Sequence, residues 1–356
     1  MTLREVFSSI ANAIRSKTGK TDTIKPVDMA TEIQSIQTGS GGNPLQEVIN
    51  NQEGDGKPSA KYLFYYYKGT SLDNAIKTLD FSKVTNMISM FRDCTNLTSI
   101  PVLYTSSVTN MAQMFSSCSN LTSIPVLDTS SVTNMAQMFY SCSNLTSIPQ
   151  LDTSKVTDMS NMFEGCSNLT SVSELDTSNV TYMSYMFYYC SKLTTIPLLN
   201  TSKVTNMSYM FNRCSNLASV PELDTSKVTN MISMFQDCPN LTTIPQLDTS
   251  KVTNMSSMFR DCTNLTTIPQ LDTSKVTNMG NMFSNCRKLK EIHMTGMKIS
   301  FDISASTNFT ESALVEILNN LATVTSTKKL TMGSTNLAKL TDEEKAIATN
   351  KGWTLA

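Results

Sequence analysis

The stretch Leu79–Val102 reads LDFSKVTNMISMFRDCTNLTSIPV, and the chain then begins it again. All nine cysteines mark the period: Cys94, Cys118, Cys142, Cys166, Cys190, Cys214, Cys238, Cys262 and Cys286 stand 24 residues apart. The Met-x-x-Met-Phe ahead of each cysteine keeps the same step, from Met87/Met90/Phe91 to Met279/Met282/Phe283, with nothing inserted or deleted. A period in this range belongs to a solenoid, in which each repeat is one coil and neighbours bury each other's apolar faces. A single copy offers Leu97, Ile100, Leu103, Val108, Met111, Met114, Phe115 and Cys118. Burying these does not offset the entropy of ordering a whole coil, so each coil depends on its neighbours.

Within a copy, Leu-Thr-Ser-Ile-Pro-x-Leu reads as a short strand, with its proline at the strand end or a bend because proline cannot donate to a ladder. Asp-Thr-Ser-Lys reads as a turn, since Asp and Ser side chains bond backbone amides ahead of them. Val-Thr-Asn-Met-x-x-Met-Phe has methionines at i and i+3 and predicts a short helix or helical turn capped by Thr or Asn.

The flanks differ. Leu3, Val6, Phe7, Ile10, Ala13 and Ile14 fall on one helical face, a polar turn follows at Ser16–Asp22, and Pro26 opens a second short helix ending near Ile33 and Ile36. Thr38-Gly-Ser-Gly-Gly42 reads as a flexible linker. Stepping back 24 residues from Val84, Met87, Met90 and Phe91 lands on Ala60, Leu63, Tyr66 and Tyr67, a degenerate capping coil plugged by YLFYYYKG. Beyond Ile292 the repeat stops. EIHM, ISFDI, KKLTMG and the Gly352-Trp353 ending read as strands, with helices capped by Thr310 and Thr341 between them. The expected organisation is a helical module at 1–38, a linker and entry to the cap at 39–59, a capping repeat at 60–78, nine coils at 79–292 and an α/β cap at 293–356.

The residues M-F-x-x-C-x-N-L-T-x-I-P resemble the leucine-rich repeats of the bacterial surface-antigen (BspA-like) type, over about residues 79–292. The resemblance implies an α/β solenoid, a scaffold used to bind many different things. The stretch IANAIRSKTGKTDTIKPVDMATEIQSIQTG (Ile10–Gly39) resembles an N-terminal module of tail-associated proteins of phages and prophages. That likeness implies attachment of residues 1–42 to phage tail or baseplate proteins, a place in the virion tail, and homotrimerisation as one assembly open to such a protein. The ending LTMGSTNLAKLTDEEKAIATNKGWTLA is similar to the tails of phage-encoded repeat proteins.

Composition narrows the function. A net charge of −1 and 16% charged residues favour neither nucleic acid nor anionic membrane. No run of 18 apolar residues exists to insert into a membrane, and MTLREVFSSIANAI lacks the apolar core of a signal peptide. Synthesis in the host cytoplasm without secretion is therefore expected, with a cell-surface or cytoplasmic location as the alternative. With one histidine, His293, and no C-x-x-C pair, no metal site or cofactor is expected, and the cysteines read as reduced core residues. No nucleophile–base pair is on offer, so the chain reads as a non-enzyme.

A residue that recurs in every coil serves the coil, so a binding site must be built from positions that vary. These are the two residues between the methionines and the two between Phe and Cys. Tyr140, Tyr182, Tyr185, Tyr188, Tyr189, Tyr209 and Arg213 are the candidate ligand-binding residues, Tyr209 standing one coil beyond Tyr185. Tyrosines with a nearby arginine compose a recognition surface for a sugar face or a protein hot spot. The expected partner is a host-surface glycan or protein. A bacterial cell-surface adhesin and an intracellular protein-binding inhibitor or sensor are the alternatives.

Overall fold

The computed structural model describes residues 3–18, 24, 25, 29, 32, 44–51 and 57–356. The greater part of the expected second helix, and all of the Thr38–Gly42 linker, lie outside the described residues. The chain forms two compact units, Met1–Asn179 and Val180–Ala356.

In the first unit, α1 (Leu3–Thr18) buries Ile10, Ala11, Ala13 and Ile14 and packs on α2 (Pro44–Asn51). Residues 44–51, within the segment expected as linker and entry to the cap, form a helix. Pro44 sits at its first position and Leu45, Val48 and Ile49 are buried at i, i+3 and i+4, a pattern too short to stand out beside the glycines before it. The helix docks on the coils through Gln46. Its Nε2 donates to Asp80 O at 3.0 Å, and its Oε1 accepts from Asp80 N at 2.7 Å. One side-chain amide thus does for Asp80 what a neighbouring coil's backbone would do. Phe7 of α1 meets the ring of Tyr65 with centroids 5.9 Å apart. A four-residue helix, α3 (Asp73–Ile76), follows the capping coil.

The capping coil is present, in a different register from the one the period implies. Ala60, Tyr62, Phe64 and Tyr66 donate to Asn86, Ile88, Met90 and Arg92, and the Phe64 ring stacks on Phe91 at 5.7 Å. The offset is therefore 27 residues, and Tyr67 takes the place of a cysteine. Its hydroxyl donates to Ser71 O at 2.7 Å, and a Cβ at Gly69 would lie 2.1 Å from that hydroxyl. The larger side chain lengthens the coil and requires glycine beside it.

Each later coil is a string of turns rather than the expected helix. Met87, Ser89, Phe91 and Asp93 donate to Asn110, Ala112, Met114 and Ser116 of the next coil, at 2.8–2.9 Å. The amides between fold back instead: Met90 to Met87, Arg92 to Ser89 and Cys94 to Phe91, each at 3.2 Å. A helix would spend all these donors internally and leave none for the neighbour. The third residue of two of these turns has positive φ, as type II turns require. Every coil repeats this at the second residue between the methionines and the second between Phe and Cys: Ser89 and Asp93, Gln113 and Ser117, and so on to Asn281 and Asn285. Only Gly165 among them is a glycine. An L-residue held there costs about 1–2 kcal/mol, which excludes the β-branched residues from a chain otherwise rich in threonine.

The other turns are fixed by side chains. The Oδ1 of Asn110, Asn134, Asn230 and Asn254 accepts from the amide two residues on. Thr129 and Thr153 in the first unit, and Thr225 and Thr249 in the second, are buried and donate to the aspartate carbonyl of the next coil at 2.8–2.9 Å. The apolar rows are fully buried. Phenylalanine rings stack 5.5–5.7 Å apart from Phe64 to Phe163 in the first unit, and 5.6–6.1 Å apart from Phe187 to Phe283 in the second.

The expected strand in each coil forms only once among the described residues, where β1 (Thr267–Asp272) pairs in parallel with β2 (Glu291–Thr295). His293 there takes the place of the proline, which elsewhere removes a ladder donor. Ser173 makes the same exchange without a strand, so loss of the proline is not sufficient. Gln150 and Gln246, each next to such a proline, send a side-chain amide to the next coil's carbonyl at 2.8 and 2.6 Å.

The second unit ends in a parallel three-stranded sheet, β3 (Phe301–Asp302), β4 (Lys328–Thr331) and β5 (Trp353–Leu355), in that order. Between the strands run α4 (Glu311–Asn320), capped by Thr310, the short α5 (Ser334–Leu337) and α6 (Asp342–Thr349), opened by a Thr341–Glu344 capping box. Trp353 is buried, donating its indole N–H to Ala322 O at 2.9 Å.

Two predictions arise from the coil. Asp80, Asp128, Asp152, Asp176, Asp224, Asp248 and Asp272 each accept hydrogen bonds from the serine two residues on, which hold their carboxyls below the usual range. The serines dominate, and the lysines three residues on contribute less. A depressed acid stabilises the fold above its unfolded value of about 3.9 and loses that contribution as pH falls through the folded value. The melting midpoint is expected to hold from pH 7 to 5 and to fall steeply below pH 4. A midpoint flat down to pH 2.5 would contradict this.

The cysteines are reduced and buried. Their thiols also do something the sequence did not reveal: Cys118 Sγ donates to Phe91 O and Cys214 Sγ to Phe187 O, both at 3.0 Å, one coil back. Burial pushes the thiols of Cys142, Cys214 and Cys286 up to about 12. Disulfide exchange needs the thiolate, so the folded chain is expected to leave a thiol reagent nearly unconsumed at pH 8, with all nine cysteines reacting in denaturant. Fast labelling of the folded chain would refute it.

Candidate recognition site

The second unit carries most of the candidate residues. Tyr185 and Tyr209 occupy the same left-handed position in adjacent coils, with φ of 60° and 59°. Their rings stack 4.5 Å apart at 12°. Tyr188 leans on both, 5.7 Å from Tyr185 and 6.4 Å from Tyr209, which makes a half-buried cluster of three rings.

Tyr189 and Arg213 belong to a second feature. They hold the other left-handed position of the same two coils, and the guanidinium lies 5.9 Å from the Tyr189 ring centroid. With Asp237 and Asp261 from the next two coils they form one wall of a groove of about 510 Å³, faced by Ser191, Ser215, Pro239 and Thr263. The two walls are thus the residues immediately before and after four successive cysteines. Arg213 Nε lies 3.5 Å from Asp237 Oδ2, Arg260 Nε lies 3.1 Å from Asp261 Oδ2, and Asn285 donates to Asp261 Oδ1 at 2.8 Å. The coils of Tyr189 and Arg213 meet where Tyr189 N donates to Asn212 O, and the side-chain Oδ1 of Asn212 is buried without a hydrogen-bond partner.

Two candidates fall elsewhere. Tyr182 stands in the asparagine row rather than on the variable face and is 60% exposed. Tyr140 is half-buried and belongs to the first unit. Sequence reading missed the aspartates and the serine–proline–threonine wall. The signal lay in the positions flanking each cysteine, of which only the preceding ones were considered. In the first unit Val102, Tyr104 and Val126 are each more than 70% exposed, Tyr104 standing where other coils have the turn aspartate.

Among the described residues no cluster of His, Cys, Asp or Glu could hold a metal ion, and no helix is long and apolar enough to cross a membrane. Within each unit the coils, bonded to their neighbours at equivalent positions, define a repeat solenoid. The chain belongs to the family described as Mycoplasma protein of unknown function, DUF285, whose profile matches residues 59–148, 141–241 and 215–316. No curated protein matches it. Solved structures similar to it are leucine-rich-repeat proteins. One is the T. pallidum leucine-rich-repeat protein, at 16% identity and a TM-score of 0.34 over 66% of this chain and 84% of that one. Another is internalin C2 of Listeria monocytogenes, at 16% identity and 0.26 over 82% and 96%. The functional domain of InlJ from the same organism, described as including a cysteine ladder, is 14% identical at 0.21 over 74% of each. At such scores the solenoid assignment rests on the hydrogen-bonded coils themselves.

Proposed function

We propose that this chain is a non-catalytic recognition protein of a phage or prophage tail, reading a host-surface glycan or protein with the variable face of its coils. The observation that carries the reading is the gathering of Tyr185, Tyr188 and Tyr209 beside the Tyr189–Arg213 groove, on a lattice that otherwise repeats. Rigid aromatic side chains on a fixed backbone give contact area at little entropic cost. The place on a tail rests on the resemblance of residues 10–39. Since α1 turns its apolar face inward, attachment through residues 1–42 would use its outer side, where Glu5, Ser8 and Asn12 are exposed. The same aromatic cluster and groove would serve a second reading, an adhesin on a cell surface.

The test is capture of the tagged full-length protein by bacterial cell walls and by purified phage-tail components. Binding to both supports the tail reading, and binding to walls alone supports the adhesin. Capture by neither, with a cytoplasmic protein retained instead, replaces both with an intracellular inhibitor or sensor.

A further inference from the structure

We infer that the groove lined by Tyr189, Arg213, Asp237 and Asp261 is a subsite for a linear, uncharged oligosaccharide lying across the coils, an inference that rests on the recognition reading above. The first support is conformational. Glycine, asparagine or aspartate would hold the left-handed positions at least cost, and seven coils place only Ser, Gln, Asn, Asp or Gly there. Among the nine cysteine-bearing coils, those of Cys190 and Cys214 alone hold bulky side chains at both positions, Tyr185 with Tyr189 and Tyr209 with Arg213; the capping coil does so with Tyr62 and Tyr66. Strain of this kind clusters at ligand-binding sites. Here it gathers at the head of the groove.

The second support is electrostatic. Arg213 neutralises Asp237, and Arg260 neutralises Asp261. The wall therefore presents hydrogen-bonding carboxylates and a guanidinium with no net charge to attract an ion. Beside them stand a half-exposed tyrosine ring and the hydroxyl-bearing Ser191, Ser215 and Thr263. An aromatic face next to paired polar groups suits a ligand with one apolar face and a rim of hydroxyls.

The third support is spacing. Hydrogen-bonded backbones lie about 4.8 Å apart, while an extended peptide shows same-facing side chains only every ~6.6 Å. A pyranose chain advances by close to one coil spacing per ring. Four equivalent positions in successive coils thus match a run of sugars in register, and a peptide would drift out of phase.

The experiment uses the full-length protein, an array of neutral linear hexasaccharides, uronic-acid hexasaccharides as charged comparators, and bacterial cell walls. Binding is measured by calorimetry and by sedimentation with the walls. At least one neutral hexasaccharide is expected to bind, with the charged ones at least tenfold weaker. The double variant Tyr189→Gly/Arg213→Gly is expected to lose binding at least tenfold while its melting midpoint stays level or rises, because glycine relieves the left-handed backbone. Unchanged sugar binding in that variant, or a lowered midpoint, overturns the inference. If walls capture the chain and no hexasaccharide binds, the subsite inference fails and the recognition reading stands. If neither binds, both fail.

Discussion

Phe211→Ala is expected to destabilise the second unit by about 3–5 kcal/mol, the usual cost of removing a buried aromatic ring. Phe211 is fully buried, with its ring stacked on Phe187 at 5.8 Å and on Phe235 at 5.6 Å. Truncation therefore leaves a void open to two neighbours, and neither ring can fill it, because the Phe187 coil is pinned to that of Phe211 by the amides of Tyr185, Phe187 and Tyr189, and the Phe211 coil to the next by four more. Phe283 stacks on Phe259 at 6.1 Å with no further phenylalanine after it in the row. Phe283→Ala is accordingly expected to cost less. Guanidinium unfolding of both variants checks this, and a Phe211→Ala loss under 1 kcal/mol would show that the stack contributes little.

Gly352→Val is expected to be the next most damaging change, by roughly 3 kcal/mol or more, combining strain at a left-handed position with a collision. Gly352 has φ of +84°, and a Cβ there would lie 2.6 Å from Val324 O. The obstacle is backbone, held in place by Val324 N donating to Lys351 O at 2.9 Å, so it cannot swing aside. The residue after Gly352 is Trp353, the buried side chain of β5, and a displaced turn would pull the indole from Ala322 O. Near-ultraviolet circular dichroism of the single tryptophan reports this directly. A variant with wild-type signal and midpoint would mean the turn relaxes freely.

The phase of the coils was legible because the period is unbroken and marks the core positions without ambiguity. Val, Met, Met, Phe, Cys and Leu all proved to be buried rows. What the sequence hid was how the backbone runs between them. Methionines at i and i+3 fit a helical turn and a string of reverse turns equally well, and only the direction of the amides decides. The capping coil misled for a related reason. In AKYLFYYYKG nearly every position is bulky, so no contrast marks the inward rows, and a three-residue extension leaves no trace in the pattern. The candidate site was half legible: the tyrosines were found by their departure from the repeat, while Asp237 and Asp261 resembled ordinary turn residues until the groove placed them beside Arg213. Tyr182 misled because it breaks the pattern in a row that the fold uses for asparagine.

The inter-coil amides bond only to the adjoining coil, as when Tyr209 N donates to Ile232 O and Arg213 N to Gln236 O, one residue before each donor's own counterpart. Such a lattice treats a whole 24-residue block as interchangeable and a single residue as indivisible. Copying or excising one full repeat in the gene, the ordinary outcome of unequal recombination between near-identical segments, would lengthen or shorten the protein by one rung without disturbing a contact elsewhere. A one-codon slip would instead have to be absorbed within a single coil, as the capping coil absorbs its three extra residues. The architecture thereby channels heritable variation into two forms, the tally of rungs and the side chains displayed on them.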